Sequence, residues 1–347
     1  MKPRRVVLVT GGAGFVGAEV VRQLAAGGHE AHVLCRASTD RTPLADIAHV
    51  RHEADLEDEP ALRRAFAAAS AAARAHTLPL DVVHLAARIS YRRADRELLR
   101  RVNVEGTRRL LSACAAERIG RLCHVSSVVV LGPVARADQE LDDDAPLGGH
   151  ALDSAYARTK AEAEELALSA SSALDVVVAS PAVVFGSSGT ASNSLHFLRR
   201  VVRGKLGPLS PPGSLSVVSL ADAAAGILLV LDRGARGQRY LLAESAWRLR
   251  DLLALASELA GRVGPRVCLP PFLWRKLVLA AALTERVVPS VRATSEALAL
   301  LGLHFRFRAA RARDELGWVP RPFSEVLAEI LLALAAESAP EARLGSD

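Results

Sequence analysis

The sequence predicts a doubly wound α/β fold, a parallel sheet with helices on both faces, followed by a smaller and mostly helical lobe. Three observations carry this. Nearly continuous apolar runs at 5–9, 31–35, 81–86, 122–126 and 176–179 suit strands buried on both faces. Helical periodicity fills the gaps, with Leu62, Ala65, Phe66 and Ala69 on one stripe and residues 102–117 patterned likewise. The first strand runs at once into Thr10-Gly-Gly-Ala-Gly-Phe-Val-Gly17 and then into a helix over 15–24, the start of a βαβ unit.

With 347 residues, half of them apolar, the chain can build one large domain with an accompanying lobe. The βαβ pattern predicts a core over 1–186, with 215–245 contributing to it. After 186 the pattern loosens into the Gly/Pro/Ser-rich Lys205-Leu-Gly-Pro-Leu-Ser-Pro-Pro-Gly-Ser214. A substrate-covering lobe is expected over 187–214 and 246–335, and a flexible polar tail over 336–347.

A net charge of +6 raises nucleic acid as a partner, but the arginines are spread along the helices and aromatics are too few for stacking, so none is expected. Cys35, Cys114, Cys123 and Cys268 show no metal-ligand spacing. All but Cys35 are read as reduced core residues. His29, His32, His84 and His124 are taken as strand or turn residues, and no metal is expected. The N-terminal residues run straight into the glycine loop without leader features, which makes a cytoplasmic location the expectation. Residues 269–283 form the most lipophilic late stretch, but Pro270, Pro271, Arg275 and Lys276 interrupt it. It falls well short of the ~20 apolar residues a span needs, although it can lie against a bilayer.

The glycine loop fits a dinucleotide fingerprint in its required strand-to-helix context, the signature of a Rossmann-type sheet. Gly11, Gly14 and Gly17 let the backbone approach a pyrophosphate, and the amides around Phe15 and Val16 begin the helix that holds it. At the end of the second strand, where an acid would bind the ribose of NAD(H), stand Cys35 and Arg36. An arginine suits a 2′-phosphate, so NADP(H) is the favoured cofactor and NAD(H) the alternative.

Tyr156 and Lys160 are four residues apart, on one face of a helix. Lysine is scarce here, with only Lys2, Lys160, Lys205 and Lys276. An ammonium so placed favours the phenolate and makes Tyr156 a proton donor near neutral pH.

Taken with these, Ala54-Asp55-Leu56, His84-Leu-Ala-Ala87, Asn103-Val-Glu-Gly-Thr107, Val125-Ser-Ser-Val-Val-Val-Leu-Gly132, Ser180-Pro-Ala-Val-Val-Phe-Gly186, Val218-Ser-Leu-Ala-Asp222 and Glu315-Leu-Gly-Trp318 occur in order along nearly the whole chain. The sequence thereby resembles the extended short-chain dehydrogenase/reductase family, most closely its dihydroflavonol-reductase and 3β-hydroxysteroid-dehydrogenase branch. The resemblance implies catalysis by Ser127, Tyr156 and Lys160, with Asn103 in the proton relay and Lys160 on the nicotinamide ribose. It implies that Asp55 and Leu56 contact adenine, that Leu85, Ala86 and Ala87 line the cofactor, and that Pro181 and Val183 wall the nicotinamide. Ser126 is expected to face the sheet or cofactor.

The rival within the family is a nucleotide-sugar epimerase or dehydratase. The resemblance places an acidic pair after the catalytic hydroxyl of sugar dehydratases, and here Val128 and Val129 stand there. Leu215 stands where sugar-nucleotide enzymes carry an arginine. A non-catalytic dinucleotide sensor is the third reading, opposed by the intact Tyr–Lys pair. Val128, Val129, Leu215 and the 269–283 stretch point to a hydrophobic carbonyl or alcohol substrate. A homodimer through helices at 94–116 and 154–169 is implied by the resemblance alone.

Overall fold

The computed structural model describes residues 4–40, 42–187, 193–287 and 294–338. The first half lays down β1 (Val6–Thr10), α1 (Phe15–Ala26), β2 (Glu30–Cys35), β3 (Val50–Glu53), α2 (Glu59–Ala75), β4 (Leu80–His84), α3 (Arg96–Leu99), α4 (Gly106–Glu117), β5 (Leu122–Val125), α5 (Ala155–Ser169) and β6 (Val176–Pro181). Then follow β7 (Val183–Phe185), α6 (Asn193–Val202), β8 (Leu209–Ser210), β9 (Ser214–Ser219), α7 (Leu220–Arg233) and β10 (Arg239–Leu242). The last part holds β11 (Ser245–Arg248), α8 (Leu249–Leu259), β12 (Val267–Cys268), α9 (Pro271–Val287), α10 (Ser295–Leu301), β13 (His304–Phe305), α11 (Ala310–Leu316) and α12 (Phe323–Ser338).

Seven strands pair in the order β10-β6-β5-β4-β1-β2-β3, every pairing parallel. Alternation along β1 shows why a continuous apolar run was needed. Val7 and Val9 join the core under α1 and α7, whereas Val6 and Leu8 join the core under α2 and α4. Strand order reverses between β1 and β4, and this switch point opens a crevice at the C-terminal ends of the strands.

A smaller sheet, β11-β9-β13 with β7 also on β9, supports α6, α8 and α12 around a separate core. The lobe expected to be mostly helical thus has a sheet beneath it. Residues 220–242 supply α7 and the edge strand β10 of the large sheet, while 214–219 belongs to the small one.

β3 and β10 are absent from the expected strands. β3 reads Val-Arg-His-Glu, with one apolar residue, because it forms the other edge of the sheet and is largely accessible. Polar tail character was expected from 336, yet α12 extends to Ser338 because Ile330, Leu331 and Leu334 dock on the lobe core. Residues 339–347 lie outside the described ones. Cys268 is exposed rather than part of the core, since β12 is a two-residue strand on the lobe surface, whereas Cys35 is buried against the α1 core. No described helix is long and apolar enough to cross a membrane.

Candidate functional site

The loop between β1 and α1 is a cradle that side chains would fill. Gly11 adopts φ +70°, and a Cβ there would lie 2.8 Å from the Ala86 amide nitrogen. A Cβ on Gly17 would lie 2.1 Å from the Gly11 carbonyl oxygen, so only glycine is accommodated at these two positions. Gly14 caps α1 without any side-chain hydrogen bond, which leaves the first-turn amides at Phe15, Val16 and Gly17 turned to the crevice unpaired by a cap. This arrangement fits a dinucleotide pyrophosphate.

Beneath the cradle a buried polar chain ties four elements together. Thr10 Oγ1 accepts from the Ala86 amide (3.2 Å) and lies 2.7 Å from His84 Nδ1. His84 Nε2 is 3.1 Å from Thr107 Oγ1, whose proton goes to the Asn103 carbonyl (2.6 Å). Because Thr107 spends its proton there, His84 must donate through Nε2 and accept at Nδ1 from the Thr10 hydroxyl. Burial pushes His84 down to about 3, with Lys160 adding to the effect, so the imidazole is neutral. Leu85, Ala86 and Ala87 hang from this chain at the edge of the crevice.

Asn103 sits in a π-helical segment, Arg100–Glu105, that joins α3 to α4 without a break in helical dihedrals. Its Oδ1 accepts from the Arg88 amide (2.8 Å), and its Nδ2 donates to the Arg88 carbonyl and to Thr159 Oγ1, both at 3.1 Å. The amide is fully committed to bracing the loop after β4 against α5. The relay role implied by the resemblance therefore finds no free amide group here.

α5 starts at Ser154, whose hydroxyl accepts from the Ala157 amide (3.2 Å), and carries Tyr156 and Lys160 on its inner face. Tyr156 is 9% exposed, its hydroxyl lies beside Ser127, and its ring meets Tyr91 edge-on at 6.0 Å. Ser127 also caps the turn 128–131 through the Val129 amide (3.4 Å). Lys160 is 4% exposed, and its Nζ donates to the Val125 carbonyl (2.8 Å).

The titration of this pair runs against the expectation. Burial pushes the Tyr156 phenol upward, Tyr91 adding to the effect and the neighbouring Ser127 hydroxyl opposing it. Burial pushes the Lys160 amine down to about 8, opposed by Glu164. In the protein alone the ammonium is engaged by a carbonyl, so desolvation governs both groups, and Tyr156 is held as a phenol.

At the far end of the crevice Asp55 Oδ1 accepts from the Glu57 amide (3.0 Å), while Leu56 is buried and would meet any Cβ at Gly106 at 3.1 Å. Arg36 is exposed at the end of β2 and makes no ion pair with a described residue. Pro181 and the partly exposed Val183 stand at the C-terminal end of the sheet. The hydroxyls of Ser126 and Ser180 are buried there without a partner among the described residues. Leu215 packs against the lobe core opposite Trp247.

Sequence reasoning missed Thr10, Arg88, Tyr91, Thr107 and Thr159. Thr10 and Thr107 lie inside quoted motifs, so the signal was present but unassigned. A cavity of about 400 Å³ lined by Arg4, Arg5, Asp81, Arg121 and Asp232 lies at the opposite, N-terminal ends of the strands and is no part of this site.

The family described as NAD dependent epimerase/dehydratase matches residues 7–243. The chain is 31% identical to sterol demethylase protein B of Methylococcus capsulatus, over 90% of this chain and 93% of that protein. It is 30% identical to the 4-hydroxy-2-methyl-3-oxo-4-farnesyl-3,4-dihydroquinoline-1-oxide ketoreductase of Stigmatella aurantiaca, over 90% of this chain and 91% of that one. Among solved structures, gox2253 is similar at a TM-score of 0.82 and 26% identity, covering 96% of this chain and 99% of that one.

Proposed function

The chain belongs to the NAD dependent epimerase/dehydratase family, in the extended short-chain dehydrogenase/reductase superfamily, and as such is an NAD(P)-dependent oxidoreductase; we propose that it interconverts a ketone and a secondary alcohol on a hydrophobic skeleton, with NADP(H) as preferred cofactor. The observation that carries this reading is the surroundings of Tyr156. Leu99 and Ala155 pack on it, with Tyr91 and Val129 beside them, and no carboxylate follows Ser127. An apolar wall around one phenol suits a ketone on a lipophilic skeleton better than a polyhydroxylated sugar. The farnesyl and sterol in the names of two relatives agree with that chemistry.

The bound nicotinamide would supply or accept hydride at the substrate carbon. Tyr156, held as a phenol by burial, gives its proton to the carbonyl oxygen as reduction proceeds, and the neighbouring Ser127 hydroxyl orients that oxygen. Lys160 keeps positive charge beneath the tyrosine and stabilises the phenolate that forms. Asn103, Thr10 and His84 hold the loop at 85–88 in place. Arg36 would meet the 2′-phosphate of the cofactor, and Asp55 with Leu56 would receive the adenine. A homodimer through α3–α4 and α5 belongs to the same reading.

The test is a panel of bulky hydrophobic ketones and of UDP- and dTDP-sugars, followed by reduced-nicotinamide absorbance and by mass spectrometry. NADPH consumption with ketones, lowered by about 10² to 10⁴ in Tyr156→Phe, is the expected result. A nucleotide sugar epimerised or dehydrated while every ketone and alcohol is inert would overturn it. Binding of dinucleotide without any turnover would instead favour a sensor.

A further inference from the structure

α9 turns an apolar stripe away from the protein it belongs to. Its anchor is Trp274, 6% exposed, whose Nε1 donates to the Leu298 carbonyl (2.8 Å). Phe272, Leu279 and Leu283 lie on the opposite side, at 62%, 65% and 61% exposure. Their spacing of seven and four residues aligns them in one narrow stripe. Leu273 and Leu277 are also exposed, on the side of the helix between this stripe and Trp274, and Val267 in β12, which leads into the helix, is half exposed as well. Scattered surface leucines need no explanation, but three large apolar side chains on one helix face, with Lys276 between Phe272 and Leu279, mark an interaction surface.

Charge identifies the occupant. Arg275 and Lys276 are exposed within the same turns, as is Arg266 just upstream, and none makes an ion pair with a described residue. The acid of this helix, Glu285, is already spent on the amide and hydroxyl of Ser295 at 2.6 and 2.7 Å. A second copy docked through its own α9 would bring no free acid to these cations, because Glu285 is already engaged. A negatively charged bilayer surface complements both the stripe and the cations.

We propose that α9 is a docking surface for an anionic lipid bilayer, with Phe272, Leu279 and Leu283 entering the interface and Arg275 and Lys276 meeting lipid phosphates. The helix lies in the plane of the membrane and does not cross it. The long stems of the two cations cover apolar surface while their charged ends stay at the headgroups.

The experiment is flotation of the full chain, loaded with NADPH, with vesicles of phosphatidylcholine alone or in equal mixture with phosphatidylglycerol. Binding is expected to the mixed vesicles, weakening as salt rises, and to fall at least about tenfold in Leu279→Glu/Leu283→Glu. Leu332→Glu, at a distant exposed position on α12 (70%), is expected to bind as the parent does. Should the leucine pair fail to fold, Arg275→Glu/Lys276→Glu tests the same surface, and its loss of binding supports the proposal equally. No flotation with either vesicle, or undiminished flotation of the folded substituted chains, would refute it. So would equal loss in Leu332→Glu, or a shift from dimer to monomer on sedimentation of the leucine variant, which would give the face to a second copy. Vesicle binding is read without substrate, so its failure leaves the reductase reading standing.

Discussion

Lys160 holds its ammonium against the Val125 carbonyl at a position where burial lowers the amine to about 8, against 10.5 in an unfolded chain. Below about pH 8 both states are protonated, and the folded state carries the full desolvation cost, on the order of 3 kcal/mol. Between the two values the folded state releases its proton first, so the cost fades as pH rises. Lys160→Met should therefore abolish turnover yet raise the melting temperature at pH 7, by a margin that narrows toward pH 10.5. Thermal melts at both pH values decide it, and a variant less stable than the parent at pH 7 would be fatal to the claim. At Arg36 the reasoning concerns charge alone. Arg36→Ala is expected to weaken NADPH binding about tenfold or more while leaving NADH unchanged. Fluorescence titration checks this, and equal affinity of the parent for both cofactors would contradict the NADP(H) assignment.

At the scale of elements, the π-helical segment is the piece that aims Asn103 at two backbone atoms of Arg88. Replacing Asn103 with leucine removes the partners of the partly buried Arg88 amide and carbonyl, a loss of about 1 kcal/mol for each bond. The expected outcome is a lower melting temperature together with weaker dinucleotide binding, because the loop at 85–88 loses its brace. If kcat falls while melting and cofactor affinity hold, the residue is a relay after all. The glycine loop, the start of α1 and the Tyr–Lys spacing on α5 were legible in the sequence because each is a local pattern. The π segment was not, since a helix with one widened turn keeps the same apolar periodicity.

Across the whole molecule, the exposed edge at β10 is closed by a side chain from far away. Asp143, only 4% exposed, accepts from the Leu241 amide (2.7 Å) and the Arg311 amide (3.0 Å), so one carboxylate joins the loop before α5 to the sheet edge and to α11. Arg239 reinforces the junction by pairing with the fully buried Glu164 and donating to the Asp143 and Ala145 carbonyls. Asp143→Ala leaves the buried Leu241 amide and the partly buried Arg311 amide without an acceptor and is expected to cost about 2 kcal/mol or more. Urea unfolding measures the loss, and an unchanged midpoint would show the junction to be dispensable. Capping an edge strand in this way also removes a template for pairing with another chain.

By itself the sequence determined five strands of the parallel sheet, the glycine loop after β1 and the placing of Tyr156 and Lys160 on one helix face. Strand alternation, a strained glycine turn and a four-residue helical spacing are all set by neighbours in the chain. Only the tertiary structure decided the rest. It made His84 a neutral link between Thr10 and Thr107, gave Asn103 to the Arg88 backbone, closed the sheet edge with Asp143 and set β9 in a second sheet. It also reversed the expected shift of Tyr156, because desolvation depends on how many distant elements surround a group. Tyr91 and Val129 crowd the phenol while the nearby ammonium bonds a carbonyl, and in that enclosure burial outweighs charge.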